Sequence, residues 1–169
     1  MALIISTLNI FSFNNKNKIM FIREFLDKNR IDICFIQETH IHDINIFNNV
    51  KETFSSYEFF STLTTTNSRG VCIFIKQERN IKIMNEYFDC ENRMHGIEVS
   101  FENITSNFIN IYAPNSSTSQ CEFIQTLYTY LSSKKNIILG GDFNYIEDRE
   151  YEKKNNTYWK KFYKNFNLV

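Results

Sequence analysis

Three short apolar runs, each stopping abruptly at polar residues, set the terms on which this chain can fold. Ile33–Ile36 leads into Gln37-Glu38-Thr39-His40. A second run leads through Asn110-Ile111 into Tyr112-Ala113-Pro114-Asn115. Ile137–Leu139 leads through Gly140-Gly141 into Asp142-Phe143-Asn144. Runs this short read as buried strands. Gly140 and Gly141 are expected to end the third strand and turn the backbone sharply. That turn would present Asp142 and Asn144, with Phe143 pointing into the core.

The rest of the chain supplies alternating elements. Leu3–Asn9 reads as a first strand, apolar on both faces as inside a sheet covered on two sides. Lys18–Asn29 reads as a helix with Ile19, Ile22, Phe25 and Leu26 on one face. Asp43 can cap a short helix carrying Ile44, Phe47 and Val50. Tyr57–Leu63, Gly70–Lys76, Ile81–Tyr87, Gly96–Phe101 and Asn107–Ala113 read as strands, with Thr64–Arg69 a polar turn. Ser119-Gln-Cys-Glu122 has the form of a capping box opening a helix to about Leu131. Asp148–Asn156 reads as a charged loop and Thr157–Asn167 as a helix with Trp159, Phe162 and Phe166 on one stripe. Helical units at both ends around an antiparallel middle imply a mixed α/β fold.

Composition narrows the class. At 169 residues the chain suits one domain. Its 43% hydrophobic residues can build a core and argue against disorder. Lys plus Arg and Asp plus Glu are both 19, so net charge alone gives no reason to expect a polyanion partner. The 4 cysteines include no Cys-x-x-Cys pair, so zinc is not expected, and Cys34 and Cys72 read as core fillers. Met1–Ile5 is too short for a signal peptide, and no run reaches membrane-spanning length. These features imply a soluble, intracellular protein.

The residues at the strand ends can carry chemistry. A carboxylate one residue beyond four apolar residues, such as Glu38, is costly unless partnered. Mg²⁺ is an apt partner, since it prefers oxygen ligands. Asn9 could support Glu38 or a metal-bound water. Tyr112 could donate to a developing oxyanion, with Asn115 on a phosphate oxygen and Pro114 fixing the backbone between. Asp142 could act as a general base, oriented by Asn144. His40 could face the same cleft, and Arg93 could pair with a cleft carboxylate. Lys153, Lys154, Lys160, Lys161 and Lys164, interleaved with Tyr158, Trp159 and Tyr163, could touch phosphates. Each has a plainer reading: a solvated carboxylate, a turn Asn, a core Tyr, a loop His, a surface Arg, an ordinary amphipathic helix. Gly-Gly-Asp-Phe also occurs in cyclic-dinucleotide synthases, but their second acid is missing here.

Taken in order, Gln37-Glu38-Thr39-His40, Tyr112-Ala113-Pro114-Asn115 and Gly141-Asp142-Phe143-Asn144 resemble the endonuclease/exonuclease/phosphatase superfamily. Within it they look most like the apurinic-type endonuclease domain of LINE-type (non-LTR) retrotransposons. The resemblance implies a two-sheet β-sandwich flanked by helices, four-layered and DNase I-like. It implies Mg²⁺ (or Mn²⁺) at Glu38 and Asn9, with Asp142, Tyr112 and Asn144 catalytic and Asn115, His40 and Arg93 toward the substrate. The implied substrate is DNA, nicked beside a downstream reverse transcriptase domain, and the implied location is the nucleus. Ile10-Phe11-Ser12 departs from the pattern, lacking the Gly often found near that Asn.

Members of the family end in a further strand and a Ser-Asp-His motif. The 3 histidines here, His40, His42 and His95, all lie upstream of Asp142. Residues 1–169 are therefore expected to be a single domain lacking its last strands, with an open sheet edge and little activity alone. The alternatives are a phosphatase or phosphodiesterase of the same superfamily, and a non-catalytic remnant.

Overall fold

The computed structural model describes residues 2–64, 69–144 and 155–166. The elements are β1 (Ile5–Asn9), α1 (Lys16–Lys28), β2 (Ile33–Gln37), α2 (Ile44–Thr53), β3 (Tyr57–Ser61) and β4 (Val71–Lys76). They continue with β5 (Lys82–Phe88), β6 (Met94–Phe101), β7 (Ile104–Tyr112), α3 (Ser117–Leu131), β8 (Ile137–Asp142) and α4 (Asn155–Phe166). Two four-stranded sheets form, ordered β1-β2-β4-β3 and β5-β6-β7-β8. This is the expected two-sheet sandwich with helices on its outer faces.

Each sheet carries one parallel pair, β1 with β2 and β7 with β8, and antiparallel pairs elsewhere. The parallel pairs arise because α1 and α3 return the chain to its starting end. The C-terminal ends of β1, β2, β7 and β8 consequently lie together, since β1 and β2 pack against β7 and β8. That end of the sandwich holds the polar strand ends.

Three apolar layers hold the elements together. Ile19, Ile22 and Leu26 of α1 and Val50 of α2 pack with Phe54, Phe74, Cys34 and Cys72 on the outside of the first sheet. Ile33, Phe35, Ile73, Ile97, Val99 and Phe108 fill the space between the sheets. Leu127 and Leu131 of α3, with Trp159 and Phe162 of α4, cover Ile109 and Ile111 on the second sheet. Cys34 and Cys72 are fully buried fillers, and burial pushes the Cys34 thiol up to about 12.

Several sequence expectations change. β1 is an edge strand, with Ile5 36% exposed and β2 its sole neighbour among the described residues. An apolar composition does not distinguish an edge from a centre when pairing is decided by distant segments. Among the described residues β1, β3, β5 and β8 each pair on one side. The α3 cap is Ser116, whose hydroxyl accepts from Ser119 N–H, not Ser119. β8 continues through both glycines to Asp142 instead of turning at them. A Cβ on Gly140 would stand 2.6 Å from the Phe35 ring, and one on Gly141 2.0 Å from the Ile111 carbonyl oxygen. These glycines serve close packing between the sheets and between β7 and β8. Residues 65–68 and 145–154, including Lys153 and Lys154, lie outside the described residues.

Candidate functional site

Buried polar groups fix the floor. Asn110 lies inside β7 at 0% exposure, amid apolar residues. Its amide donates to the carbonyls of Ile36 and Cys72, both at 2.8 Å. Gln37 Nε2 donates to Asn110 Oδ1 at 2.7 Å. Burying amides without partners would cost several kcal/mol; here each bond joins one sheet to the other. The sandwich is thereby fixed in register directly beneath the strand ends. The sequence signal for Asn110 was a lone amide interrupting an apolar strand, and it was read only as part of a motif.

Backbone hydrogen bonds then lace the loops above. Ile10, Ser12 and Phe13 N–H donate to the carbonyls of Gln37, Glu38 and Thr39. Thr39 and His40 N–H donate to Gly70 and Arg69. Phe11, Ser12, Glu38, His40 and Asn144 all have positive φ without being glycine. Such conformations are sparsely populated and persist only where surrounding structure over-determines them. These five lie in the loops after β1, β2 and β8, while others, such as Arg30, Asn80 and Asn103, lie in turns elsewhere.

The expected residues converge there. Asn9 Nδ2 donates to Glu38 Oε1 at 2.9 Å and to Asp142 Oδ2 at 3.0 Å. Asn9 Oδ1 accepts from Phe11 N–H. One carboxamide, from β1, thus holds a carboxylate from each sheet. Asp142 Oδ1 accepts from Asn144 N–H at 2.9 Å, and Asn144 Nδ2 donates to the Ala113 carbonyl at 2.6 Å. His40 Nε2 stands 3.7 Å from Glu38 Oε2. Burial holds the His40 imidazole below its usual pKa, against the opposing pull of Glu38. Burial, then the facing Glu38 charge, holds the Tyr112 phenol above its usual pKa, so it stays protonated at neutral pH.

Arg93 is in the vicinity but not on a carboxylate. Its guanidinium lies 5.3 Å from the Tyr112 ring centroid, and Nη1 donates to the Tyr112 carbonyl at 3.1 Å. Asp89 accepts from the Arg93 and Met94 backbone N–H instead. Asn115 is exposed at the turn after β7, with no hydrogen bond to the carboxylates among the described residues. On α4, Lys160, Lys161 and Lys164 are exposed while Trp159 and Phe162 are buried, as in an amphipathic helix. Gln120, in the first turns of α3, was missed. It is 3% exposed, and its Nε2 donates to the carbonyls of Pro114 at 2.8 Å and Asn144 at 2.9 Å. It clamps the turn after β7 to the turn after β8. A Gln at a helix start carries no pattern that separates such a clamp from a solvated side chain.

The donor set suits a hard cation. Glu38 and Asp142 bring oxygen ligands to one amide, and Mg²⁺ is commonly held by one or two carboxylates with waters completing its shell. No group of 3 or more His, Cys, Asp or Glu side chains placed to hold a metal occurs among the described residues. Glu38 and Asp142, bridged by Asn9, are the carboxylates that meet at this mouth.

Comparison with known proteins bears on the family and the fold. Over 164 residues, 93% of its length, the chain is 29% identical to the "Transposon TX1 uncharacterized 149 kDa protein" of Xenopus laevis. It spans 12% of that protein's length. Among solved structures it superposes on an AP endonuclease from Archaeoglobus fulgidus with a TM-score of 0.74 and 16% identity, covering 97% of this chain and 71% of the other. On D. rerio TDP2 complexed with a single-strand DNA product the TM-score is 0.67 at 17% identity, covering 86% of this chain and 62% of the other. The fold is shared with these two solved structures. No helix among the described residues is long and apolar enough to cross a membrane. With its strand-end residues gathered at one mouth and residues 6–152 matching the family model, the chain belongs to the Endonuclease/Exonuclease/phosphatase family.

Proposed function

We propose that this chain hydrolyses phosphodiester bonds with a divalent metal and nicks DNA as the endonuclease part of a LINE-type retrotransposon. The observation that carries the reading is the Asn9 amide shared by Glu38 and Asp142. It holds a metal-binding acid and a general base on either side of one mouth. The similarity to a transposon protein and to DNA-acting relatives supports DNA as the substrate. A reverse transcriptase domain in the same polyprotein, and action in the nucleus, belong to the same reading. So does the treatment of residues 1–169 as one domain whose site is completed by a Ser-Asp-His segment.

Glu38, supported by Asn9, would hold Mg²⁺ or Mn²⁺, which supplies positive charge to the phosphate oxygens. Asp142 would take the proton of the attacking water, its carboxylate fixed by Asn144 N–H. Tyr112, kept protonated, would donate its hydroxyl hydrogen toward charge building on phosphate. Arg93 beneath its ring steadies it and adds positive charge to the substrate side. Asn115, exposed at the mouth, and His40, beside Glu38, would contact the bound strand.

Two measurements test the reading. Supercoiled plasmid should convert to nicked circles slowly, with Mg²⁺ and not with EDTA, and Asp142→Asn should lower that rate by at least ~10²-fold. Mg²⁺ should also raise the melting temperature of the wild type and not of Glu38→Gln. Absence of both Mg²⁺ effects sinks the proposal. Release of inorganic phosphate from small esters without nicking moves the chain to the phosphatase reading.

A further inference from the structure

Phe11 is the most exposed large apolar side chain among the described residues, at 72%. Single exposed rings are ordinary on protein surfaces. This one stands two residues beyond Asn9, at the rim of the carboxylate pair. Its backbone is at φ 51, a conformation costly to any residue but glycine. It is also locked. Phe11 N–H donates to Asn9 Oδ1 at 3.2 Å, and its carbonyl accepts from Lys18 Nζ at 3.0 Å. Lys18 Nζ reaches the Ile10 carbonyl as well, and Ser12 N–H donates to the Glu38 carbonyl. The loop backbone is therefore held in a strained conformation while the ring stands in water.

Among the described residues the ring has one aromatic neighbour. The His40 imidazole lies 5.9 Å away, tilted by 60°. His40 is in turn 3.7 Å from Glu38, so this aromatic corner is continuous with the candidate metal ligand. Burial does not explain the corner, since the Phe11 ring gains little from it. A ligand with a flat π-face would. Bases stack on exposed aromatics with little regard to sequence, and such contacts dominate single-strand binding.

We propose that Phe11, backed by His40, is the stacking surface for the nucleobase beside the scissile phosphate. The site then favours a nucleotide already unstacked from its neighbours, as in a single strand or a distorted duplex. The assignment rests on the nuclease reading for its substrate class, but its test needs no turnover.

Binding of labelled oligothymidylate and of an abasic oligomer of equal length is measured by anisotropy, in EDTA. The wild type should prefer the oligomer with bases. Phe11→Ala and Phe11→Gly should lose about tenfold in affinity for oligothymidylate and little for the abasic strand. Phe11→Trp should keep the preference, and its added fluorescence should be quenched by oligothymidylate. Phe11→Gly suits the positive φ and should melt no lower than wild type, which excludes unfolding as the cause. Equal affinity of Phe11→Ala and wild type for both oligomers, or an unquenched Phe11→Trp, overturns the proposal. Loss of the base preference in Phe11→Ala, with neither metal-dependent nicking nor a Mg²⁺ shift in melting temperature in the wild type, overturns the nuclease reading and leaves the stacking surface in place.

Discussion

Asn9 and Asp142, 133 residues apart in the chain, are joined by a 3.0 Å hydrogen bond in which the Asn9 amide donates to the carboxylate. The same nitrogen donates to Glu38 at 2.9 Å. Removing it leaves two carboxylates facing each other without their shared donor. Asn9→Ala should lower Mg²⁺-dependent nicking by roughly 10–100-fold, the usual effect of losing a group that orients metal ligands. A Mg²⁺ titration of nicking rate should show a higher half-saturating concentration.

Gly141 has φ 133, and a Cβ there would meet the Ile111 carbonyl oxygen at 2.0 Å. Gly141→Ala must push β8 away from β7 just before Asp142. A displacement near 1 Å at a reacting group can cost about 10²-fold in rate. Nicking should fall by that order, and the melting temperature should fall with it. An alanine variant that nicks as fast as wild type would show that the β7–β8 approach does not set the position of Asp142.

Gln120 donates to both turns, at Pro114 and Asn144. Gln120→Leu strips a buried donor from two carbonyls, which should destabilise the chain by about 1–3 kcal/mol. Urea unfolding measures it. A Gln120→Leu variant as stable as wild type would mean the carbonyls find other donors.

Leu26 is 0% exposed where α1 meets the first sheet. Leu26→Ala should cost about 2–5 kcal/mol through lost burial and the cavity left behind. Denaturant unfolding should show the midpoint shift with little change in slope.

Glu86 Oε1 stands 2.7 Å from Nε2 of the fully buried His95. The His95 hydrogen bond holds the Glu86 carboxyl below its ordinary range, against desolvation. A depressed folded-state pKa gives stability that is present above the unfolded value, about 4.3. It is lost as pH falls through the folded pKa. The melting-temperature gap between wild type and Glu86→Ala should hold steady down to about pH 5 and close below about pH 4. A gap that widens with acid would reverse the assignment.

The polar strand ends were legible in the sequence because each lies within about three residues of the end of an apolar run. Glu38, Tyr112 and Asp142 could therefore be named before any geometry was known. Helices α1 and α2 were legible for a similar reason: their apolar spacing and the Asp43 cap are local features. The α3 cap was misplaced by three residues because Ser116, Ser117 and Ser119 all suit an N-cap, and the choice depends on where β7 ends.

What the sequence determined by itself, then, was the set of strands and the chemistry at their tips, since both follow from neighbours within a few residues. Tertiary structure alone decided that β1 is an edge, that Gly140 and Gly141 continue a strand, and that Asn110 and Gln120 tie distant segments together. It also decided that Asn9 lies between Glu38 and Asp142 rather than against one of them. The reason is physical. Hydrogen bonds between segments tens of residues apart depend on how two sheets close on each other, and no local pattern of residues encodes that closure.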